Sequence, residues 1–116
     1  MDEYRLVNLT GHRVTAINWD DQVVQIPSSG YLRVESSTNP GEVIQVGGLR
    51  IPLIDITEKR VDGPIAEHGT LYIVSGVVAA KAHRDDFIVP SRVERAKNGT
   101  VVGCRAFARL TTEDVT

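Results

Sequence analysis

Hydrophobic and polar residues alternate along much of this chain with the two-residue period of a β-strand. In the segment 31–35, for example, Leu32 and Val34 stand between polar neighbours. Val and Ile are abundant, and β-branched side chains favour pleated sheets over helices. The pattern predicts strands over residues 4–9, 13–19, 23–26, 31–35, 43–46, 49–56, 71–74 and 87–89.

Turn-forming residues separate these segments. Asp20 and Asp21 are expected to join two strands as a hairpin. Asn98-Gly99 indicates a type I′ turn, because both positions tolerate positive φ, and it predicts a closing hairpin between 92–97 and 100–110. Residues 36–41 and 58–69 contain many polar residues, Pro and Gly, and are predicted to be loops.

One short helix is expected near the middle of the chain. Ser75 is a good N-cap, and Ala79, Ala80 and Ala82 favour a helix that runs from Gly76 to His83. The order of elements predicts an α+β fold, mostly antiparallel β with one short helix. Its length of 116 residues predicts a single compact domain over 1–116, with a frayed tail at 111–116.

Composition limits the classes of partner. The net charge of −2 and the pI of about 5.9 argue against binding to DNA or RNA, which requires a basic face. No apolar run approaches the 18 residues of a membrane span. Cys104 is the single cysteine, so no internal disulfide can form, and a cytoplasmic protein is expected.

Catalytic and metal-binding motifs are not recognisable. The three histidines lie far apart without metal-ligand spacing, so no metal site and no cofactor are expected. Cys104 could form a dyad with a distant histidine, but a cysteine in an apolar strand is more often a core residue. Asp85 and Asp86 could serve acid–base chemistry or bind Mg²⁺, although a solvated turn with an ion pair to Arg84 is the favoured interpretation. We therefore expect no enzymatic activity.

Arginines are the more suggestive feature. Arg105 and Arg109 have an even spacing that would place both on one face of a strand, and Arg84 follows the helix. Guanidinium groups bind phosphate through two parallel hydrogen bonds, so these residues could form part of a nucleotide pocket. The alternative is that they merely coat the surface.

Four segments of the chain resemble a group of small phage and prophage proteins. They are VNLTGHRVT (7–15), PSSGYLRVE (27–35), GTLYIVSGVVAAKAHRDDFIVP (69–90) and NGTVVGCRAFAR (98–109). The order and spacing are similar to those of the first described Thoeris anti-defence family. Members of that family are sponges, which bind the cyclic ADP-ribose-type signal of a bacterial TIR-domain defence protein without cleaving it. Some also bind cyclic oligonucleotides in a hexamer.

The resemblance implies specific site residues. Arg50, Arg105 and Arg109 would contact phosphates, and Tyr72 would offer an aromatic face to adenine. His83 and Asp85, beside Arg84, would lie near ribose or base edges. One position departs from the pattern, because Gly11 stands where the group usually has proline.

The expected function is capture of a cyclic nucleotide signal in the cytoplasm of a bacterial host. A small domain has little concave surface, so a homodimer with a pocket at its interface is expected, and a hexamer is the larger assembly that the resemblance implies. Two alternatives remain: a phage structural or regulatory domain that binds another protein, and a nucleotide-cleaving enzyme that uses Asp85 or Asp86.

Overall fold

The computed structural model describes residues 3–59 and 61–111. This part of the chain forms a mostly β domain with one short helix, as the pattern predicts. The elements in chain order are β1 (Arg5–Asn8), β2 (Val14–Ile17), β3 (Val23–Ile26), β4 (Ser36–Val46), β5 (Leu49–Glu58), β6 (Thr70–Ile73), α1 (Gly76–Ala82), β7 (Phe87–Arg95) and β8 (Val101–Ala108).

Six strands form one sheet in the order β1-β6-β7-β8-β2-β3. The pairs β7–β8 and β2–β3 are antiparallel, as predicted from their turns. However, β1, β6 and β7 run parallel to one another, and β2 is parallel to β8, so the sheet is mixed. Parallel neighbours cannot be joined by a tight turn, and α1 provides the crossover from β6 to β7.

The core lies on both faces of this sheet. Tyr72 and Val74 pack with Val78 of α1 and with Phe87 on one face. Ile73 points to the opposite face, where it packs with Val14, Ile88 and Cys104. Because β6 is buried on both faces, its residues 71–73 are apolar without alternation.

The helix begins and ends as its sequence predicts. The Ser75 hydroxyl accepts a hydrogen bond from the Val78 N–H, 3.3 Å away. At the other end His83 adopts the left-handed conformation (φ 52°, ψ 48°) and its N–H donates to the Ala79 carbonyl. This turn directs the chain back toward β7.

A two-stranded hairpin, β4–β5, forms a second sheet that we call the arm (residues 36–58). The predicted loop at 36–41 is wrong, because these residues form the first half of β4. Pro40 is tolerated there because β4 is an edge strand, and a bulge between Pro40 and Val43 accommodates Gly41. Within the described residues, the two strands pack substantially only against each other.

Two other strand predictions need correction. Residues 32–35 form no strand, and Tyr31 makes only an isolated bridge to Thr10. Phe87–Arg95 is one continuous strand that runs through Pro90, whereas the sequence predicts two separate strands over 87–89 and 92–97. Pro90 lies beyond the residues of β7 that pair with β6, so its missing N–H breaks no ladder on that side.

Residues 112–116 of the predicted tail lie outside the described part of the chain. Within that part, no helix is long and apolar enough to cross a membrane.

Candidate functional site

Four of the seven predicted site residues come together at one end of the sheet. His83, Arg84, Asp85 and Arg109 line an open depression of about 250 Å³ with Leu110 and Thr111. A neighbouring depression of about 350 Å³ shares Asp85 and Arg109 and also contains Tyr4 and His68. We call Tyr4, His68, His83, Asp85 and Arg109 the edge site.

The edge site is built from residues at the ends of the helix and of several strands. His83 is the C-cap of α1, and Asp85 lies in the turn between α1 and β7. Arg109 directly follows β8, and its Nε donates a 2.8 Å hydrogen bond to the Asp85 carbonyl. This bond directs the arginine along the edge. Its two Nη groups have no hydrogen-bond partner within the described part of the chain.

Tyr4 and His68 were not predicted as site residues. β1 and β6 are parallel neighbours that begin in register, with Arg5 opposite Thr70. The residues immediately before each strand therefore meet at the same edge. No local signal in the sequence shows this pairing, because parallel strands are brought together by long-range contacts.

Arg84 has a structural role that limits its use as a ligand group. Its Nε and Nη2 donate to both carboxylate oxygens of Asp86 at 2.9 and 2.6 Å. Its Nη1 donates to the carbonyls of Asp62 and Pro64, and its guanidinium lies over the Phe87 ring at 4.2 Å. Arg84 therefore clamps the loop before β6 onto α1 and β7.

The environment of Arg84 favours the positively charged form of its guanidinium. The hydrogen bonds to Asp86 raise the pKa of the guanidinium, although burial acts in the opposite direction. A raised pKa in the folded state stabilises the fold at every pH below the ordinary range of guanidinium titration. The ion pair predicted from the sequence is thus present, but it is largely buried rather than solvated.

Tyr72 lies in the core rather than in a pocket. It is 6% exposed, and its hydroxyl donates to the Ile65 carbonyl at 3.1 Å. Its ring makes an edge contact with Phe87, and the Arg84 guanidinium approaches it to 5.8 Å. The ring is therefore not available to stack on a base, and the exposed Tyr4 is the aromatic residue of the edge site.

Arg105 and Arg109 do not share a binding surface. β8 ends at Ala108, and four extended residues span about 13 Å. Arg105 instead pairs with Asp21 and Glu94 and donates to the Asn18 carbonyl. These hydrogen bonds to Asp21 and Glu94 raise the pKa of Arg105. Each of its three guanidinium nitrogens donates to an intramolecular partner.

Arg50 also lies outside the edge site. It lies near the tip of the arm, opposite Gln45 in the β4–β5 ladder. Of the phosphate-binding arginines expected from the resemblance, only Arg109 thus lies in the edge site.

Two motifs behind the resemblance have structural roles. Asn8 is fully buried, and its amide donates to the carbonyls of His12 and Ile26 while its oxygen accepts from Thr10. Gly11 has a φ of +86°, which proline cannot adopt. This turn therefore could not form in the same conformation with proline at position 11.

Cys104 is a core residue. It is buried between β2 and β7, and this burial raises the pKa of its thiol. A buried thiol with a raised pKa is a poor nucleophile. The nearby depressions are lined mainly by apolar side chains, including Val14, Val93 and Val102.

The edge site combines three kinds of recognition group. Arg109 and the imidazoles of His68 and His83 can donate to phosphate oxygens, while Asp85 can accept from a hydroxyl group. Tyr4 adds an exposed ring. The described residues include no cluster of three or more His, Cys, Asp or Glu side chains suited to a metal ion. Comparison with protein-family models, curated proteins and solved structures finds no match to this chain.

Proposed function

We propose that this protein is a non-catalytic binder that captures a phosphorylated nucleotide signal of the cyclic ADP-ribose type at the edge site. The observation that carries the proposal is the convergence of four segments that are distant in sequence, which contribute Arg109, His83 with Asp85, His68 and Tyr4. Arg109 is held by its Nε and directs two unoccupied Nη groups outward. A fixed guanidinium loses less entropy on binding phosphate than a mobile one.

Capture requires affinity rather than turnover. A nanomolar dissociation constant corresponds to about −12 kcal/mol, which charge-assisted phosphate contacts and burial of a base could supply together. The two depressions are open, and ligand sites usually enclose about 300 to 1,000 Å³. A second copy that covers the edge would enclose the ligand and slow its release, so the proposal includes a homodimer or a larger homo-oligomer in the bacterial cytoplasm.

The first test is a capture-and-release assay. The purified protein is mixed with cyclic ADP-ribose isomers and with cyclic di- and trinucleotides, and the filtrate is quantified by mass spectrometry. The retained protein is then heated. Disappearance of one compound and its intact return would support capture. A cleaved product would favour hydrolysis involving Asp85, since Asp86 is occupied by Arg84.

Arg109→Ala tests the location of the site. Loss of a guanidinium–phosphate contact is expected to raise the dissociation constant by about 10- to 100-fold. Arg95→Ala is the matched control, because Arg95 lies at the opposite end of the β7–β8 hairpin and should leave capture unchanged. Unaltered capture by Arg109→Ala, with a far-UV spectrum like the parent's, would exclude the edge site.

A protein-binding domain of a phage structural or regulatory protein is the second candidate. The exposed apolar side chains of the arm favour it, because such surfaces mark interaction sites. Under this alternative every nucleotide would remain in the filtrate unchanged.

A further inference from the structure

The arm exposes apolar side chains on both of its faces. Ile44 lies opposite Ile51 and Val46 opposite Leu49, so these four share one face with Leu53. The other face carries Val43, Pro52, Ile54 and Ile56. The large aliphatic residues of the arm other than Ile44 are between 41% and 68% exposed.

The exposed apolar part of the arm, residues 43–54, also contains few charged residues. Between Val43 and Ile54 the single charged residue is Arg50. Depletion of charged residues is characteristic of the buried centre of a protein interface. A solvated hairpin would instead be expected to alternate apolar and polar faces. A two-stranded hairpin alone in water is marginally stable at best, so this arm requires a partner surface.

The size of the molecule indicates how much surface is uncovered. Its accessible area is 9150 Å², whereas a folded monomer of 12.7 kDa is expected to expose about 6,200 Å². The radius of gyration is 18.6 Å, against about 13 Å for a compact chain of this length. The excess area of about 2,900 Å² far exceeds the roughly 800 Å² that one partner contributes to a standard interface.

We infer that the arm is a self-association element whose residues 43–56 are buried against a second copy of this chain. An uncovered apolar ribbon with free edges is an aggregation hazard from the moment of synthesis. A second copy is the partner that is always present in equal amount. Each copy also offers an apolar groove of about 350 Å³ on its main sheet, lined by Ile17, Val23, Val24 and Phe107.

If the arm of each copy packs in the groove of the other copy, the contact is reciprocal, and the assembly is closed and symmetric. Because the arm has two apolar faces, covering one face on its own domain would leave the other in water. Burial between copies covers both. This inference concerns assembly alone and does not depend on the nucleotide proposal, since neither the arm's apolar residues nor the groove includes an edge-site residue.

The test compares the parent chain with the double variant Leu49→Asp/Ile51→Asp by sedimentation velocity at micromolar concentration. The parent should sediment as a multiple of 12.7 kDa. The double variant should sediment as the monomer, because two desolvated carboxylates would raise the dissociation constant by at least about 100-fold. Ser37→Asp is the matched control, since Ser37 is an exposed residue of the same arm outside residues 43–56, and this variant should assemble as the parent does.

A monomeric parent chain would overturn the inference, and so would a double variant that assembles as the parent does. Hydrogen exchange of the parent provides a second readout that needs no variant. Amides of residues 43–56 should become at least about 10-fold more protected as the protein concentration rises through the association range. Amide protection that does not change with protein concentration over the association range would also contradict the inference. The capture-and-release assay is repeated on the double variant, so that assembly and nucleotide capture are measured separately in the same protein.

Discussion

At the residue scale, Asn8 joins three parts of the fold. Its side chain is fully buried at the end of β1, yet each of its polar atoms has a partner. It links β1 to the segment just before β2 and to the end of β3, and neither of these strands is adjacent to β1 in the sheet. The Asn-Leu-Thr motif therefore has a structural explanation that does not involve a ligand.

Asn8→Ala is expected to lower the free energy of unfolding by about 3 kcal/mol, because it removes three part-buried hydrogen bonds, to the His12 and Ile26 carbonyls and from the Thr10 N–H. Urea unfolding followed by circular dichroism measures this change. Asn39→Ala in the exposed arm should change the same quantity by less than about 0.5 kcal/mol. Equal effects of the two substitutions would show that the buried network contributes little.

The arginines show why residue type alone does not identify a site. Arg84, Arg105 and Arg109 are equally plausible phosphate ligands in the sequence. In the structure Arg84 is held by Asp86 and two carbonyls, and Arg105 by two carboxylates. Of these three arginines, only Arg109 has guanidinium nitrogens without a hydrogen-bond partner within the described part of the chain. The hydrogen-bond partners of each guanidinium, which come from distant segments, decide its role.

At the scale of elements, α1 depends on its caps. It has only seven residues, a length at which isolated helices are unstable in water. Packing of Val78 and Ala79 on the sheet and the two caps offset this cost. The position of His83 and Asp85 in the edge site depends on where this helix ends.

Ser75→Ala removes the hydroxyl that accepts from the Val78 N–H. The expected loss is about 1 kcal/mol of unfolding free energy, the usual cost of an N-cap. Ser29→Ala serves as a control, since the Ser29 hydroxyl makes no hydrogen bond within the described residues, and it should be close to neutral. Thermal unfolding of both variants measures the difference, and a neutral Ser75→Ala would mean that water replaces the cap.

At the scale of the whole molecule, the arm makes the single chain unusually extended for its mass. If residues 43–56 are buried between copies, assembly and folding are coupled, and stability depends on concentration. The melting temperature of the parent chain should then rise by roughly 5 °C over a 100-fold increase in protein concentration. The Leu49→Asp/Ile51→Asp variant should melt at a constant temperature. Differential scanning calorimetry at several concentrations provides the measurement, and a constant value for the parent chain would argue for a stable monomer.

Local features of the sequence determined the elements that depend on neighbouring residues. The alternation of apolar residues located β2, β3 and β5, the Ser75 cap located α1, and Asn98-Gly99 located the β7–β8 turn. These predictions succeed because hairpin turns, helix caps and side-chain alternation act over a few residues. The prediction of a loop at 36–41 is wrong because it relied on the turn-forming residues Ser, Asn, Pro and Gly. Cross-strand pairing overcomes the low strand propensity of these residues.

Tertiary structure alone decided which distant segments meet. The parallel pairing of β1 with β6 brings Tyr4 beside His68, and the Arg84 clamp removes that residue from the candidate site. The pairing of Arg105 with Asp21 and Glu94 and the exposure of the arm also depend on strand order. Strand order follows from burial summed over the whole chain, and a one-dimensional pattern records which residues prefer burial but not which partners bury them.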